Sequence, residues 1–239
     1  MMLCDFHIHS TFSDGSLTIA EIVDLDGRRG FGAIAITDHL CEESTFLGKT
    51  ARWLERTLTR ETFPFYLDTI HAQAERAWRQ YRMRVLPGFE LTKNSLINHR
   101  SAHVVAVGVE KWISADQDIF AMLKEIRAAG GLAIAAHPVC TGKFEPQTYF
   151  LWSRRRELAP HFDAWEVASG KQLFAPVAES GLPMLANSDL HHAHHIHAWK
   201  TKLSCERHPE AIKEAVRRQR VEFEYYAGNP LLSLKKATV

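Results

Sequence analysis

Along the chain, short apolar runs alternate with longer segments in which apolar residues recur every three or four positions. Runs at 3–8, 33–36, 85–89, 104–109, 132–135, 164–167 and 184–185, several of them flanked by Gly or Pro, have the length of buried strands. Helical spacing fills the gaps between them. Thr18 stands as an N-cap with Glu21 three residues on, ahead of Ile22, Val23 and Leu25 and a stop at Gly30; the segment 116–129 closes on Gly130-Gly131. A strand, a helix and a further strand in succession predict parallel pairing. About seven such units build either a doubly wound open sheet or a barrel.

Two stretches break the rhythm. Residues 41–82 form a long insertion with Arg52-Trp53-Leu54-Glu55-Arg56 and a helical pattern through Ala72, Ala74, Ala77, Trp78 and Tyr81, which reads as a cap over a barrel mouth. Residues 141–161 carry Tyr149-Phe150-Leu151-Trp152 and then Arg154-Arg155-Arg156, an arginine run that reads as a solvated helix face. No internal repeat, low-complexity tract or Pro/Ser-rich linker divides the chain, so residues 1–239 are expected to form one domain. A hydrophobic content of 46% in 239 residues suffices to bury a full core.

Charge and cysteine usage remove several function classes. Lys+Arg total 29 against 28 Asp+Glu, a formal net charge of +1, so no global field favours nucleic acid or an anionic membrane. No stretch approaches the roughly 18 apolar residues of a membrane span, and no basic-plus-apolar leader precedes the first strand. Cys4, Cys41, Cys140 and Cys205 are spread without a C-x-x-C pair, which argues against a thiolate zinc site or a disulfide framework. A reducing, cytoplasmic setting is the expectation.

Candidate chemistry begins at Asp5-Phe6-His7-Ile8-His9-Ser10. In a strand, residues two apart point to the same face, so the imidazoles of His7 and His9 can reach one cation while Phe6 and Ile8 pack on the other side. Asp14 follows shortly. Related side chains recur at the edges of later apolar runs, in Thr37-Asp38-His39, Gly88-Phe89-Glu90, Ser101-Ala102-His103, Ala136-His137-Pro138 and Ser188-Asp189-Leu190-His191. Core histidines have no reason to repeat in this way. Donors at the C-terminal ends of almost every strand favour the barrel, whose mouth collects side chains from many strand ends.

Taken in order, D-x-H-x-H-S with Ser13-Asp14-Gly15, T-D-H at 37–39, G-x-E at 88–90, H-V-V-A-V-G at 103–108, A-H-P at 136–138 and S-D-x-H at 188–191 resemble the polymerase-and-histidinol-phosphatase (PHP) family. The resemblance runs from residue 5 to residue 191. It implies an α/β fold, a distorted (βα)7 TIM-like barrel with three metals at its C-terminal mouth. Matched motif by motif, His7, His9, Glu90 and Asp189 would hold one metal. Glu90, His103 and His137 would hold a second, with Glu90 bridging, and Asp14, His39 and His191 a third.

The donor chemistry is consistent with that assignment. A mixed His/Asp/Glu set without thiolate suits Zn, Mn or Fe and does not select among them. Two such metals ~3.5–4 Å apart can share a hydroxide at neutral pH and orient it in line with phosphorus. The expected activity is therefore hydrolysis of a small phosphomonoester of the nucleotide or sugar phosphate class, with two or three divalent transition metals and with Glu90, Asp189 and His191 as catalytic ligands. No G-x-S-x-G or catalytic-cysteine signature is present. Lys171, just after the strand ending at Glu166-Val167, and His194, in the imidazole-rich segment 191–197, are expected to contact the substrate. His192, His195 and His197 are expected to line the mouth or support the ligands, a protonated imidazole among this group being a candidate acid for the leaving group. Glu166 is expected to orient a ligand, and Asp5 and Asp38 to hydrogen-bond neighbouring imidazoles or backbone. His71 and His99 match no motif and are expected to be structural; His161 and His208 carry no functional signal.

Three other readings compete. An amidohydrolase-like C–N hydrolase also uses His-x-His, but that pattern has a bridging lysine where Glu90 stands and a lone aspartate where Asp189 is followed by His191. A 5′-to-3′ exonuclease acting on short oligonucleotides is the second. Nuclease-like members of the family often carry a long insertion after A-H-P, and here only about fifty residues separate His137 from Asp189. A regulatory metal-binding module without activity is the third, and the filled motif positions speak against it.

Overall fold

The computed structural model describes residues 1–95, 100–139 and 148–227. Its strands are β1 (Met2–Asp5), β2 (Ala33–Ile36), β3 (His39–Cys41), β4 (Arg84–Lys93), β5 (Ala102–Val107), β6 (Leu132–Ala135), β7 (Ala164–Ser169), β8 (Gln172–Leu173), β9 (Met184–Asn187), β10 (Trp199–Leu203) and β11 (Val221–Tyr225). The helices are α1 (Ile19–Gly27), α2 (Phe46–Trp53), α3 (Phe63–Tyr81), α4 (Ile119–Ala128), the single turns α5 (Phe150–Ser153), α6 (Arg155–Leu158) and α7 (Ala175–Ala178), and α8 (Pro209–Arg217). All strands belong to one curled sheet ordered β11-β10-β1-β2-β4-β5-β6-β7-β8, with β3 also on β4 and β9 also on β7. Among the described residues no helix is long and apolar enough to cross a membrane.

Local signals set several boundaries. Thr18 and Glu21 form the expected reciprocal capping box, although α1 stops at Gly27 rather than at Gly30. Asp118 caps α4, its carboxylate accepting from the backbone of Phe120 and Ala121. Of the segment 41–82, α3 buries Phe63, Tyr66, Ile70 and Ala77 in the core, while α2 buries only Gly48 and leaves Phe46 and Trp53 exposed. In the Tyr149–Arg156 region, Leu151 and Trp152 are buried, Arg154 pairs with Glu157 and Arg155 lies over the Trp152 ring, so the arginines do flank a solvated turn. Cys140 and residues 141–147 of that stretch lie outside the described residues, as does His99.

The expected all-parallel repeat is broken at β5, which runs antiparallel to both β4 and β6. β4 extends to Lys93, and 94–101 is too short for the crossover of a dozen or more residues that a parallel neighbour needs, so the chain returns as a hairpin. β10 was hidden from the pattern because Lys200 and Thr201 are buried at its centre; β8 was hidden because both its residues are exposed. Closure is also less regular than a (βα)7 barrel. Past the strand ends, Ile8 pairs with Leu190 in a single parallel bridge, and the Thr201 hydroxyl links β10 to Ala186 of β9. The result is a curled sheet without a continuous closing ladder.

Two apolar layers hold it. Alternate strand residues Ala33, Ala35, Leu86, Val105, Ile134 and Leu185 cluster with Ile212, Ala215 and Val216 of α8. The opposite face packs with α1, α3 and α4. Beside the first layer sits a buried ion pair between Lys200 and Asp5, with Asp26 of α1 close enough to feel both charges.

Asp26 is buried with its Oδ2 unpartnered among the described residues, and that burial pushes its carboxyl up to about 7 against the attraction of Lys200. The native state therefore holds a proton that the unfolded chain releases above its ordinary carboxylate range. Stability from this group is present below that range and is lost as pH rises towards 7. We expect Asp26→Asn to raise the melting temperature by several degrees at pH 8 and by less at pH 5. Thermal unfolding at the two pH values checks this, and an equal gain at both would remove Asp26 as the cause.

Candidate metal centre

The alternation that builds the apolar interior also builds the site. Two or four residues towards the mouth from Leu86, Val105, Ala164 and Leu185, on the same strand faces, stand Glu90, His103, Glu166 and Asn187. Because β5 is antiparallel, His103 enters from the start of its strand, whereas Glu90 lies near the end of β4; the expectation of a donor at the C-terminal end of each strand fails at His103 for this reason. His39 of β3 lies directly opposite Glu90 in register. His7 and His9 lie just past β1, on either side of the bridge between Ile8 and Leu190. Phe6 and Ile8 pack in different apolar layers rather than on one face.

Backbone constraints explain the small residues in the motifs. A Cβ on Gly15 would lie 2.2 Å from the His9 carbonyl oxygen, and one on Gly88 would lie 2.3 Å from that of Ala106. His137 and Asp189 both adopt positive φ, 26° and 52°, a strained conformation for such side chains that turns them out of their strands.

The structure brings together all nine expected donors. Glu90 is fully buried at the centre: its Oε1 lies 3.4 Å from His7 Nε2, 3.1 Å from His103 Nδ1 and 3.5 Å from His137 Nε2, while its Oε2 lies 2.6 Å from His39 Nδ1. Asp189 Oδ1 lies 3.4 Å from His7 Nε2 and 3.3 Å from His9 Nε2. Asp14 Oδ1 faces His39 Nε2 at 3.5 Å and His191 Nε2 at 3.2 Å. Four groups have donor atoms close enough to share an ion: His7, His9 and Glu90; His7, His137 and Asp189; Glu90, His103 and His137; and His9, Asp14, His39 and His191. These overlap the motif-based sets and differ in three respects: Asp189 is parted from His9 and Glu90, it groups with His137 as well as His7, and His9 also joins the Asp14 group.

Outer hydrogen bonds assign the tautomers. His7 Nδ1–H donates to Glu166 Oε1 at 2.9 Å, leaving Nε2 free to ligate. The Thr148 hydroxyl donates to His137 O, so its oxygen accepts from His137 Nδ1–H at 2.9 Å. His191 Nδ1–H donates to Asp189 O, and His103 Nε2–H to Asn94 Oδ1. His39 Nδ1–H is held between Thr92 Oγ1 and Glu90. The inward nitrogens of His7, His103, His137 and His191 are thus acceptors facing carboxylate oxygens, whereas His39 turns its N–H to Glu90 and its Nε2 to Asp14. Buried and without a hydrogen bond among the described residues are His7 Nε2, both nitrogens of His9 and Asp14 Oδ1. Buried polar atoms without partners carry a desolvation cost, which a cation relieves at the acceptors among them, so the donor set fits divalent metal.

The electrostatics agree. Burial, then the charges of His39 and His191, bring His9 down to about 3, so it stays neutral as a ligand must. Burial alone would raise Glu90 and Asp189, but the imidazoles packed against them, His103, His39 and His7 for Glu90 and His7 for Asp189, hold both well below the usual range. Burial disfavours a charged His7, yet Asp189, Glu166 and Glu90 raise its pKa well above the usual imidazole value. The same anionic field that would hold a proton there attracts a metal ion.

Supporting residues behave partly as expected. Glu166 holds His7 and also accepts from the His137 backbone at 2.7 Å, with Asn187 donating to it. Asp38 accepts from Ser10 N, Ser10 Oγ and Ser13 Oγ, and Asp5 from Ser188 N and Oγ; neither bonds an imidazole. Lys171 and His194 line a cavity of about 640 Å³ together with several donors. His195 and His197 line it too, whereas His192 turns away to Ser16. His71 pairs with Glu110 on the surface, His161 packs on Phe120 and His208 caps α8. Thr92, Asn94, Thr148 and Asn187 escaped the sequence reading; only Thr92, two residues from Glu90 on the same face, carried a positional signal.

No protein-family model and no curated protein matches the chain. Solved structures do match. A two-domain protein from Bacteroides vulgatus containing a predicted PHP-like metal-dependent phosphoesterase aligns with a TM-score of 0.67 and 22% identity, over 94% of this chain and 64% of that one. An amidohydrolase from Chromobacterium violaceum, solved with sulfate and without metal, aligns with a TM-score of 0.51 and 17% identity, over 92% of this chain and 97% of that one. At these identities the likeness is one of fold. The chain spans 64% of the length of the Bacteroides protein.

Removing an outer partner should loosen the donor that it orients. We expect Glu166→Ala and Thr148→Ala to weaken metal binding by roughly 10–100-fold, measured by competition with a chromogenic chelator. Wild-type affinity in both variants would show that these hydrogen bonds do not position the ligands.

Proposed function

We propose that this chain is a metal-dependent phosphoesterase of the PHP type, a single distorted (βα)7 barrel domain acting on a small phosphomonoester. The observation that supports this reading most is the convergence of His7, His39, His103 and His137 on the buried Glu90 carboxylate, with His7, His103 and His137 held by hydrogen bonds on their outer nitrogens. His7, His9, Glu90 and Asp189 would hold one metal, Glu90, His103 and His137 a second, and Asp14, His39 and His191 a third. Bound there, divalent metals supply Lewis acidity towards phosphoryl oxygens and lower the pKa of water.

The protein's own contribution is placement. Glu90 serves two donor sets from one buried carboxylate, Asp189 and His191 flank the opening to the cavity, and Lys171 and His194 contact the substrate from the cavity wall. Carboxylates kept anionic and a His9 kept neutral suit a cation, and His7, which the carboxylates around it raise, would release a proton when one binds.

The purified protein should contain at least two equivalents of transition metal, and chelation should abolish hydrolysis of a generic phosphomonoester, with rescue by Zn, Mn or Fe. Glu90→Ala and His137→Ala should each lower kcat by orders of magnitude while leaving the fold intact. Elemental analysis with a screen of phosphomonoesters, 5′-phosphorylated oligonucleotides and amides checks this. Absence of metal, near-wild-type turnover in either variant, or activity confined to amides would overturn the reading.

A further inference from the structure

The cavity in front of the donors has two unlike walls. One is the donor set; the other is made by the β7–β8 hairpin, through Gly170, Lys171 and Gln172, and by the turn that carries His194 and His197. Both parts of the second wall are fixed by hydrogen bonds to their backbone. Gly170 N donates to Asn187 O at 3.1 Å, Trp199 N donates to Gly170 O at 2.9 Å, and Tyr225 donates to His197 O at 3.1 Å.

This wall offers one fixed cation, the Lys171 ammonium, beside Gln172, His194 and His197, polar side chains that can donate and that are exposed in the cavity. The side chains of Lys171 and Gln172 make no ion pair or hydrogen bond among the described residues, and those of His194 and His197 make only ring contacts. Among the described residues the only carboxylates lining the cavity are Asp14 and Asp189, and both are committed to the metal donors. A leaving group bearing an amine would face the Lys171 ammonium with no free carboxylate to receive it.

Resting on the phosphoesterase reading, we propose that this wall is an anion subsite: the substrate carries a second anionic group, remote from the scissile phosphoryl, which Lys171, Gln172, His194 and His197 receive. The scissile group is served by the nine donors, which Lys171 and His194 do not touch. A cavity of about 640 Å³ is far larger than a phosphoryl group needs, leaving room for a leaving group that spans from one wall to the other. The second anion is a carboxylate or a second phosphoryl; charge-assisted hydrogen bonds from an ammonium and N–H donors serve both.

The test measures binding rather than turnover, by calorimetry on the metal-loaded protein with benzylphosphonate and its analogues bearing a carboxylate or a second phosphonate at the 3 or 4 position. At least one doubly anionic ligand should bind tenfold or more tightly than benzylphosphonate, and its identity distinguishes carboxylate from phosphoryl. In Lys171→Met, and in Lys171→Met with His194→Ala, that preference should fall below threefold, with metal content and melting temperature retained. Equal affinity for all the ligands, or a preference that survives both variants, overturns the anion subsite while leaving the phosphoesterase reading in place. Failure of every phosphonate to bind, together with inactivity on phosphomonoesters, overturns both.

Discussion

Placing a carboxylate where no water reaches it costs several kcal/mol unless positive or hydrogen-bonding groups surround it, and Glu90 has no exposed surface. Its two oxygens meet His7, His39, His103 and His137, which come from four different parts of the curled sheet. Those segments must converge for Glu90 to be tolerated. The small apolar layer beneath, closed by α8, supplies the rigid floor that holds them at that convergence.

The same logic extends one layer outwards. Glu166 is also fully buried, and it is satisfied by His7, the His137 backbone and Asn187. Asp38 gathers the hydroxyls of Ser10 and Ser13, fixing the loop that carries Asp14, and Asp5 gathers Ser188, fixing the residue before Asp189. Lys200 balances Asp5 from the neighbouring strand. Several of the candidate donors or their loops thus rest on a polar partner that is itself held, and side chains order the mouth alongside strand pairing.

Most of the nine candidate donors were legible beside apolar runs, and the order of motifs that resembles the PHP family completed the set, Asp14 standing in a turn. Strand direction was not legible. Val104 and Val105 look the same in either orientation, and only the short stretch after Lys93 forces β5 to turn back. β10 was hidden by Lys200 and Thr201, polar residues whose burial depends on Asp5 and Ala186, partners far away in sequence. Thr148 and Asn94 were silent for a related reason. A hydroxyl or amide that fixes a tautomer has no periodicity of its own and is defined only by the ring that it meets.

The reversal of β5 has a consequence for how the site assembles during folding. Glu90 and His103 sit thirteen residues apart in one hairpin, whereas Phe6 and Asn187, whose contact ties the start of the His-x-His segment to β9, lie 181 residues apart. Loop-closure entropy grows as the logarithm of length, so the distant contact costs roughly 2 kcal/mol more to close than the hairpin does. The Glu90–His103 pair is therefore accessible early, as a local contact, while the donors around His7, His9 and Asp189 wait for the first and last strands to meet. A nascent chain would bring two of the clustered side chains together well before the ring around them is closed.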